Sequence, residues 1–187
     1  MSAHEAAQRR QYLSFSLAGN DYAVGILQVK EILQYETVTR IPSVPASTRG
    51  VINLRGAVVP VVDLAVKFGL AGTEVTKRTC ILIVEANLGG ERTVMGLMAD
   101  AVREVLELGP EEIEPPPSFG TLVRVDFLVG MGKADKGFVL LLDLDRVLSA
   151  GEQELAQFAK GSGPPPGDLP VPLPTKAEGA FAEATAA

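Results

Sequence analysis

The residue types that most often carry catalysis are scarce in this sequence of 187 residues. It contains one histidine, His4, and one cysteine, Cys80. A His/Cys metal site needs several such ligands, and a Ser-His-Asp or Cys-His arrangement would have to recruit His4 from a polar N-terminal segment. Cys80 lies in the apolar run 80–84 and is expected to be a small core residue, as in proteins of a reducing compartment. We therefore expect no metal site of the His/Cys type and no histidine-dependent catalysis.

Two aspartates and one glycine-rich segment are the remaining candidates for chemistry. Asp63 and Asp143 could form a catalytic carboxylate pair, but each precedes a leucine and a short helical pattern, which favours a helix N-cap. The segment 130–133, Gly-Met-Gly-Lys, lacks both the earlier glycine and the following Ser or Thr of a phosphate-binding loop. Residues 132–137, Gly-Lys-Ala-Asp-Lys-Gly, fit a hairpin turn between two apolar strands better. The sequence thus predicts a protein that is not an enzyme.

Short strands dominate the elements that would position any site. Segment 12–17 alternates apolar and polar residues, and segment 50–64 predicts two strands joined by a tight turn at Arg55-Gly56. Further strands are predicted at 80–85, 93–98, 102–108, 123–129 and 138–144. Helical patterns are short and fall at 27–33, 64–68, 144–148 and 152–160. We expect a mostly β protein built from small barrels, with few short helices.

The chain contains an internal repeat of about 60–70 residues. Val59–Phe68 aligns without gaps on Val139–Leu148, and four upstream pairs also align: Gly25 with Gly96, Val29 with Val102, Glu31 with Glu104, and Leu33 with Leu106. Two copies predict two lobes, at about 11–68 and 79–148. A barrel of this size is marginal alone and gains stability by packing against the other. The groove between two packed lobes would suit a binding partner.

The two ends of the chain differ in composition from its centre. Residues 1–10 are polar and predict a flexible arm without a secretory signal. Residues 161–187 carry six of the 13 prolines and predict a disordered Pro/Ala/Gly-rich tail. Within the tail, Pro170–Pro174 is either a polyproline ligand or solvated chain. No apolar stretch approaches the roughly 20 residues that span a bilayer, so we expect a cytoplasmic protein.

Residues 11–68 resemble CheW, the coupling protein of bacterial chemosensory arrays. The resemblance rests on the segments at 12–17, 22–26, 29–32, 38–42, 50–56, 59–64 and 67–68. It continues through 95–97, Val102 and 113–116 and ends at 143–148. The most specific feature is the turn Asn53-Leu-Arg-Gly56 followed by the strand Val59-Pro-Val-Val-Asp-Leu64.

This resemblance implies a fold, partners and a location. It implies a CheW-like domain over 11–160, built as two five-stranded barrels of the Src-homology-3 type, with no catalytic activity and no cofactor. The domain would bind the cytoplasmic hairpin tip of methyl-accepting receptors in the groove between the lobes. Its lobe ends would pair with the regulatory domain of the histidine kinase CheA. We therefore expect recruitment to membrane-associated receptor arrays.

Five residues are predicted to contact these partners: Arg55, Glu31, Val29, Asn53 and Val102. Arg55 has no counterpart in the second copy, so the common fold does not explain it. At a hairpin tip it either forks onto a carboxylate of a partner or is an arginine satisfied at the surface. Glu31 matches a family position associated with receptor coupling, but Glu104 repeats it, so a structural role is equally open. Val29 and Val102 are groove residues by resemblance, with core packing as the alternative.

Two other functions remain as alternatives. The first is a CheW-like adaptor of another chemosensory pathway, such as pilus-based or gliding motility. The second is a small-barrel protein that binds nucleic acid. The net charge of −6 opposes the second, because an acidic surface gains nothing from counterion release at phosphates. We therefore expect protein partners and no nucleic acid.

Overall fold

A computed structural model of the protein describes residues 8–118, 123–135 and 137–149. Within these ranges the chain is mostly β, as predicted, with two short α-helices, α1 (Leu64–Lys67) and α2 (Leu144–Ser149). The strands are β1 (Arg10–Leu17), β2 (Asn20–Gly25), β3 (Val29–Gln34), β4 (Thr48–Leu54), β5 (Ala57–Asp63), β6 (Cys80–Leu88), β7 (Glu91–Ala99), β8 (Ala101–Leu108), β9 (Ile113–Glu114), β10 (Leu128–Ala134) and β11 (Gly137–Leu142).

The strands of the described chain form two sheets. One has six strands in the order β8-β1-β2-β11-β10-β9, and the other has five in the order β3-β6-β7-β5-β4. Neighbouring strands are antiparallel except for two parallel pairs, β2 with β11 and β5 with β7. The parallel pair occupies the equivalent position in each sheet, as expected if both sheets descend from one repeated unit.

The two sheets do not coincide with the two copies of the repeat. The six-stranded sheet joins β1 and β2 of the first copy to β8, β10 and β11 of the second. The five-stranded sheet joins β6 and β7 of the second copy to β3, β4 and β5 of the first. The prediction of lobes at 11–68 and 79–148 is therefore wrong, because the copies exchange their first two strands. The repeat itself matches strand for strand.

Most of segment 27–33, from Val29 onward, forms a strand where a helical turn was predicted. Only Ile26–Gln28 forms a 3₁₀ turn, and β3 begins at the next residue. β3 pairs with β6 along its length, with a register shift between Val29 and Glu31. This tertiary pairing overrides the weak local helical preference of the segment.

One apolar core lies between the two sheets, and each sheet has a smaller core on its other face. The central core takes alternate residues of β1 and β6, among them Leu13, Phe15, Leu82 and Val84. The intervening Ile81 and Ile83 belong to the core of the five-stranded sheet, while Tyr12 belongs to that of the six-stranded sheet. Because both faces of β6 are buried, its sequence is a continuous apolar run rather than an alternating one.

Several predictions concern residues outside the described ranges. These are the helix at 152–160, the disordered tail at 161–187 and most of the flexible arm at 1–10. The last part of that arm belongs to the fold, since Arg10 begins β1. Among the described residues no helix is long and apolar enough to cross a membrane.

Candidate functional site

The hairpin between β4 and β5 fixes the position of the Arg55 side chain. Arg55 and Gly56 have φ angles of 52° and 88°, the left-handed pair that a two-residue turn needs to match strand twist. The Asn53 side-chain oxygen accepts a hydrogen bond of 2.8 Å from the Gly56 N–H. Asn53 therefore shapes the turn that presents Arg55, and its contact with a partner stays a prediction.

Arg55 forms a two-pronged ion pair with Glu31 on β3. Its two terminal nitrogens donate to the two carboxylate oxygens at 3.0 and 2.8 Å. The side-chain hydrogen bond to Glu31 and the charge of that carboxylate raise the pKa of Arg55. The Arg55 side chain remains 76% exposed, and its other N–H donors can still serve a partner. The structure therefore brings two of the predicted site residues together.

A second ion-pair group lies beside the first. Glu85 on β6 accepts from Lys30 at 2.9 Å and from Arg92 at 3.5 Å. The hydrogen bond from Lys30 is the main cause that lowers the pKa of Glu85. One end of the five-stranded sheet thus carries three cations and two carboxylates.

These charges surround an apolar depression of about 460 Å³, here named the Arg55 depression. Its floor consists of Leu54, Val58, Val59, Ile83 and Val94. Val59 and Ile83 belong to the core of the five-stranded sheet, and Leu54 and Val94 pack against that core. The depression is therefore the open end of this core. An apolar side chain from another segment could extend the core while the charged rim contacts its polar neighbours.

A larger depression of about 720 Å³, here named the Leu27 depression, lies where the chain passes between the sheets. The turn Ile26–Gln28 connects β2 of one sheet to β3 of the other, and its Leu27 is 97% exposed. The depression is also lined by Tyr12, Val129 and Asp145. Sequence reasoning missed Leu27, because nothing in its local pattern separates it from the buried aliphatic residues around it.

Arg9 closes one side of the Leu27 depression. It forms ion pairs with Glu107 at 3.1 Å, Glu111 at 3.7 Å and Glu112 at 3.0 Å. Its side chain is only 19% exposed, so these three carboxylates hold the start of β1 against the end of β8. The acidic segment 111–112 therefore has a structural partner in Arg9.

Val29 and Val102 lie in neither depression. Both are half-buried and pack against the central core, one from each sheet. They occupy equivalent positions of the repeat, so the common fold accounts for their shared identity. Core packing is what the geometry supports for both residues, and a contact with a partner stays a prediction.

Asp63 and Asp143 do not form a catalytic pair. Asp63 is 1% exposed and caps α1 by accepting from the Ala65 N–H at 3.1 Å. It also accepts from the Thr73 N–H and hydroxyl, both at 2.9 Å. Asp143 follows β11 in the other sheet and accepts from the Arg146 N–H at 3.2 Å. The predicted N-cap role is confirmed for Asp63, and Asp143 makes the equivalent bond at α2.

Two open, partly apolar and charge-rimmed depressions on a two-sheet β protein are surfaces of the kind that protein-binding modules use. The similarity of its sequence narrows this class to one family. Residues 11–152 match the CheW-like domain, and the chain belongs to that family.

Three similar proteins show how far the likeness extends. The chemotaxis protein CheW of Klebsiella aerogenes is 36% identical over 146 residues, covering 78% of this chain and 86% of that protein. The probable chemotaxis protein CheW of Rhizobium etli is 34% identical, covering 79% and 92%. The crystal structure of the scaffolding protein TtCheW from Thermoanaerobacter tengcongensis superposes with a TM-score of 0.68 at 34% identity, covering 78% and 96%.

Proposed function

We propose that this protein is a non-catalytic adaptor that couples methyl-accepting chemotaxis receptors to the histidine kinase CheA. The observation that carries the proposal is the family match over residues 11–152. Similar proteins bear the names chemotaxis protein and scaffolding protein, which supports a role in assembly rather than in catalysis. Recruitment to receptor arrays at the membrane follows from the same proposal.

The two depressions provide separate surfaces for the two partners. The Arg55 depression is the open end of one sheet, which fits the lobe end expected to pair with the regulatory domain of the kinase. The Leu27 depression lies where the chain crosses between the sheets, which fits the groove expected to receive the receptor tip. Because one buried core joins the sheets, both partners would be held in a fixed geometry. Coupling would then be a conformational bias between two occupied sites.

Each depression offers an apolar contact that a substitution can remove. Leu27 is almost fully exposed, and Val58 on the floor of the Arg55 depression is 46% exposed. Burial of such an aliphatic side chain contributes about 1.5–3 kcal/mol, which corresponds to roughly 10–100-fold in Kd. The charged rim of the Arg55 depression would orient the partner and make binding sensitive to salt, but it would contribute less of the affinity than the apolar contact does.

The test is kinase autophosphorylation with receptor-containing membranes, together with separate pull-downs of kinase and receptor. We expect the wild-type chain to change kinase output. Val58→Ser is expected to weaken kinase binding alone, and Leu27→Ser is expected to weaken receptor binding alone. Val105→Ser is the matched control, since Val105 is 51% exposed on β8 and lies outside both depressions.

Unchanged kinase output with the wild-type chain would refute the coupling role. If both substitutions affected the same partner, the assignment of the surfaces would be wrong although the coupling role could stand. A pull-down that recovers only receptors of a pilus or gliding pathway would move the protein to that alternative.

A further inference from the structure

The Arg55 depression has a basic rim, whereas the part of the chain after α2 is acidic. Rim cations Lys30, Arg55 and Arg92 face two carboxylates, Glu31 and Glu85. Residues 150–187 contain five carboxylates and two lysines, and this segment accounts for half of the net charge of −6. The two regions therefore attract each other at low salt.

One short part of that segment also matches the apolar floor. Residues 152–158 read Glu-Gln-Glu-Leu-Ala-Gln-Phe, so two carboxylates precede Leu155 and Phe158. Four of the five floor residues, all except Val58, belong to or pack against a buried core that is open at this end. A leucine or phenylalanine entering the depression would extend that core and leave the two carboxylates near the cationic rim.

The end of the described chain is within reach of the depression. Asp145 at the start of α2 accepts from the Asn87 N–H at 2.8 Å, and Asn87 pairs across β6 and β7 with Arg92. Cross-strand neighbours are about 5 Å apart, and Ser149 lies about 6 Å along the helix from Asp145. The nine residues from Ser149 to Phe158 can extend over about 30 Å, which exceeds this path.

We infer that residues 152–158 of this chain bind the Arg55 depression and occupy it when no partner is present. Glu152 and Glu154 would meet the cations of the rim, and Leu155 or Phe158 would fill the floor. The family match ends at residue 152, so all of this segment except Glu152 lies beyond the matched range. The regulatory consequence rests on the proposed function. A kinase domain would have to displace the segment from the Arg55 depression, and this competition lowers the apparent affinity of the kinase domain for the protein.

The test places a nitroxide spin label on residue 156 of the full chain, as Ala156→Cys, and measures the paramagnetic broadening of backbone amide resonances. Cys80 is buried, and mass spectrometry verifies that the protein carries a single label. We expect selective loss of the Val58, Thr93 and Val94 signals, while Leu27 and Val129 keep their intensity. A label on Ala184→Cys is the matched control and is expected to give no such selectivity.

Two perturbations are expected to restore the lost signals. The double variant Arg55→Glu and Arg92→Glu reverses the rim charge, and Phe158→Ser removes the apolar anchor. Because the Arg55 and Arg92 side chains are 76% and 84% exposed, the charge reversal is expected to leave the amide spectrum elsewhere unchanged. Raising salt from about 0.1 M to 1 M shortens the Debye length from about 10 Å to 3 Å and is expected to weaken the broadening.

Uniform broadening, no broadening, or broadening centred on Leu27 would each overturn the inference. Isotopically labelled chain mixed with spin-labelled chain tests the source of the effect. Broadening between chains at the same strength would assign the occupant to a second copy and would refute binding within one chain. No kinase or receptor is present, so failure here leaves the adaptor role intact, and failure of the adaptor role leaves this result intact.

Discussion

Replacing Asp63 or Asp143 with alanine should have unequal effects on stability, although the two residues are equivalent in the repeat. Asp63 is 1% exposed, and its carboxylate accepts from the Ala65 N–H, the Thr73 N–H and the Thr73 hydroxyl. Arg49 lies 3.5 Å away and completes the set. These contacts hold the loop after α1 against the end of β5.

The magnitude follows from what each substitution leaves unpaired. Asp63→Ala leaves three buried or partly buried donors and one guanidinium without their acceptor. Removal of a partner from such a buried set costs about 3–5 kcal/mol. Asp143→Ala removes one cap bond and an ion pair whose side chains are 66% and 31% exposed. Loss of a cap costs about 1 kcal/mol, and an exposed ion pair adds little.

The measurement is urea unfolding followed by circular dichroism, with the free energy of unfolding compared at a common slope. Asp63→Asn is the informative third variant. Its amide NH₂ would face donors on one side, so it should be nearly as destabilised as Asp63→Ala. If the two alanine variants differed by less than about 1 kcal/mol, the contrast drawn from burial and hydrogen bonding would be wrong.

Three further predictions concern the sheets and their charges. Gly96→Ala should destabilise the fold by about 1–3 kcal/mol, because its Cβ would lie 2.8 Å from Ile81 Cγ2; Gly25→Ala, whose nearest contact would be at 3.8 Å, is the control for urea unfolding. Burial raises the pKa of the Cys80 thiol, so it should react with Ellman's reagent only on unfolding; rapid reaction in the native protein would contradict its placement. The lowered pKa of Glu85 means that its stabilisation is present above the ordinary value of 4.5 and is lost as pH falls through the lower, folded value. The difference between wild type and Glu85→Gln should therefore shrink in acid, and a constant difference in unfolding free energy would count against this ion pair.

Much of the fold could be predicted from the sequence, because strand alternation, tight turns and helix caps are decided by residues close to one another in the chain. The alternation in β1, the tight turn at Arg55-Gly56 and the aspartate cap at α1 each have a short-range physical cause. The helical pattern at 27–33 failed, since pairing of β3 with β6 decides its conformation. The exchange of strands between the copies was also out of reach, because partners far apart in sequence decide it.

The candidate site was predicted in part for the same reason. Arg55 was singled out by its absence from the second copy, and the structure places it on the rim of a depression with Glu31. Its ion pair with Glu31 joins the β4–β5 turn to β3, which is not a neighbour of β4 or β5 in the sheet order, and no local pattern encodes it. The exposure of Leu27 likewise depends on where the chain crosses between sheets. Sequence patterns identify such residues only when they lie in a recognisable turn or are present in one copy of the repeat and absent from the other.

The strand exchange sets the order in which the protein can be completed during synthesis. The five-stranded sheet has all its strands once residue 99 has been made. β1 and β2 are made first, but their remaining partners end only at residue 142. The earliest hairpin therefore lacks its sheet partners on both sides until β8 ends at residue 108 and β11 at residue 142. A ribosome stalled between residues 99 and 142 would present a complete five-stranded sheet beside an incomplete six-stranded one, the state in which chaperone contact is expected to be greatest.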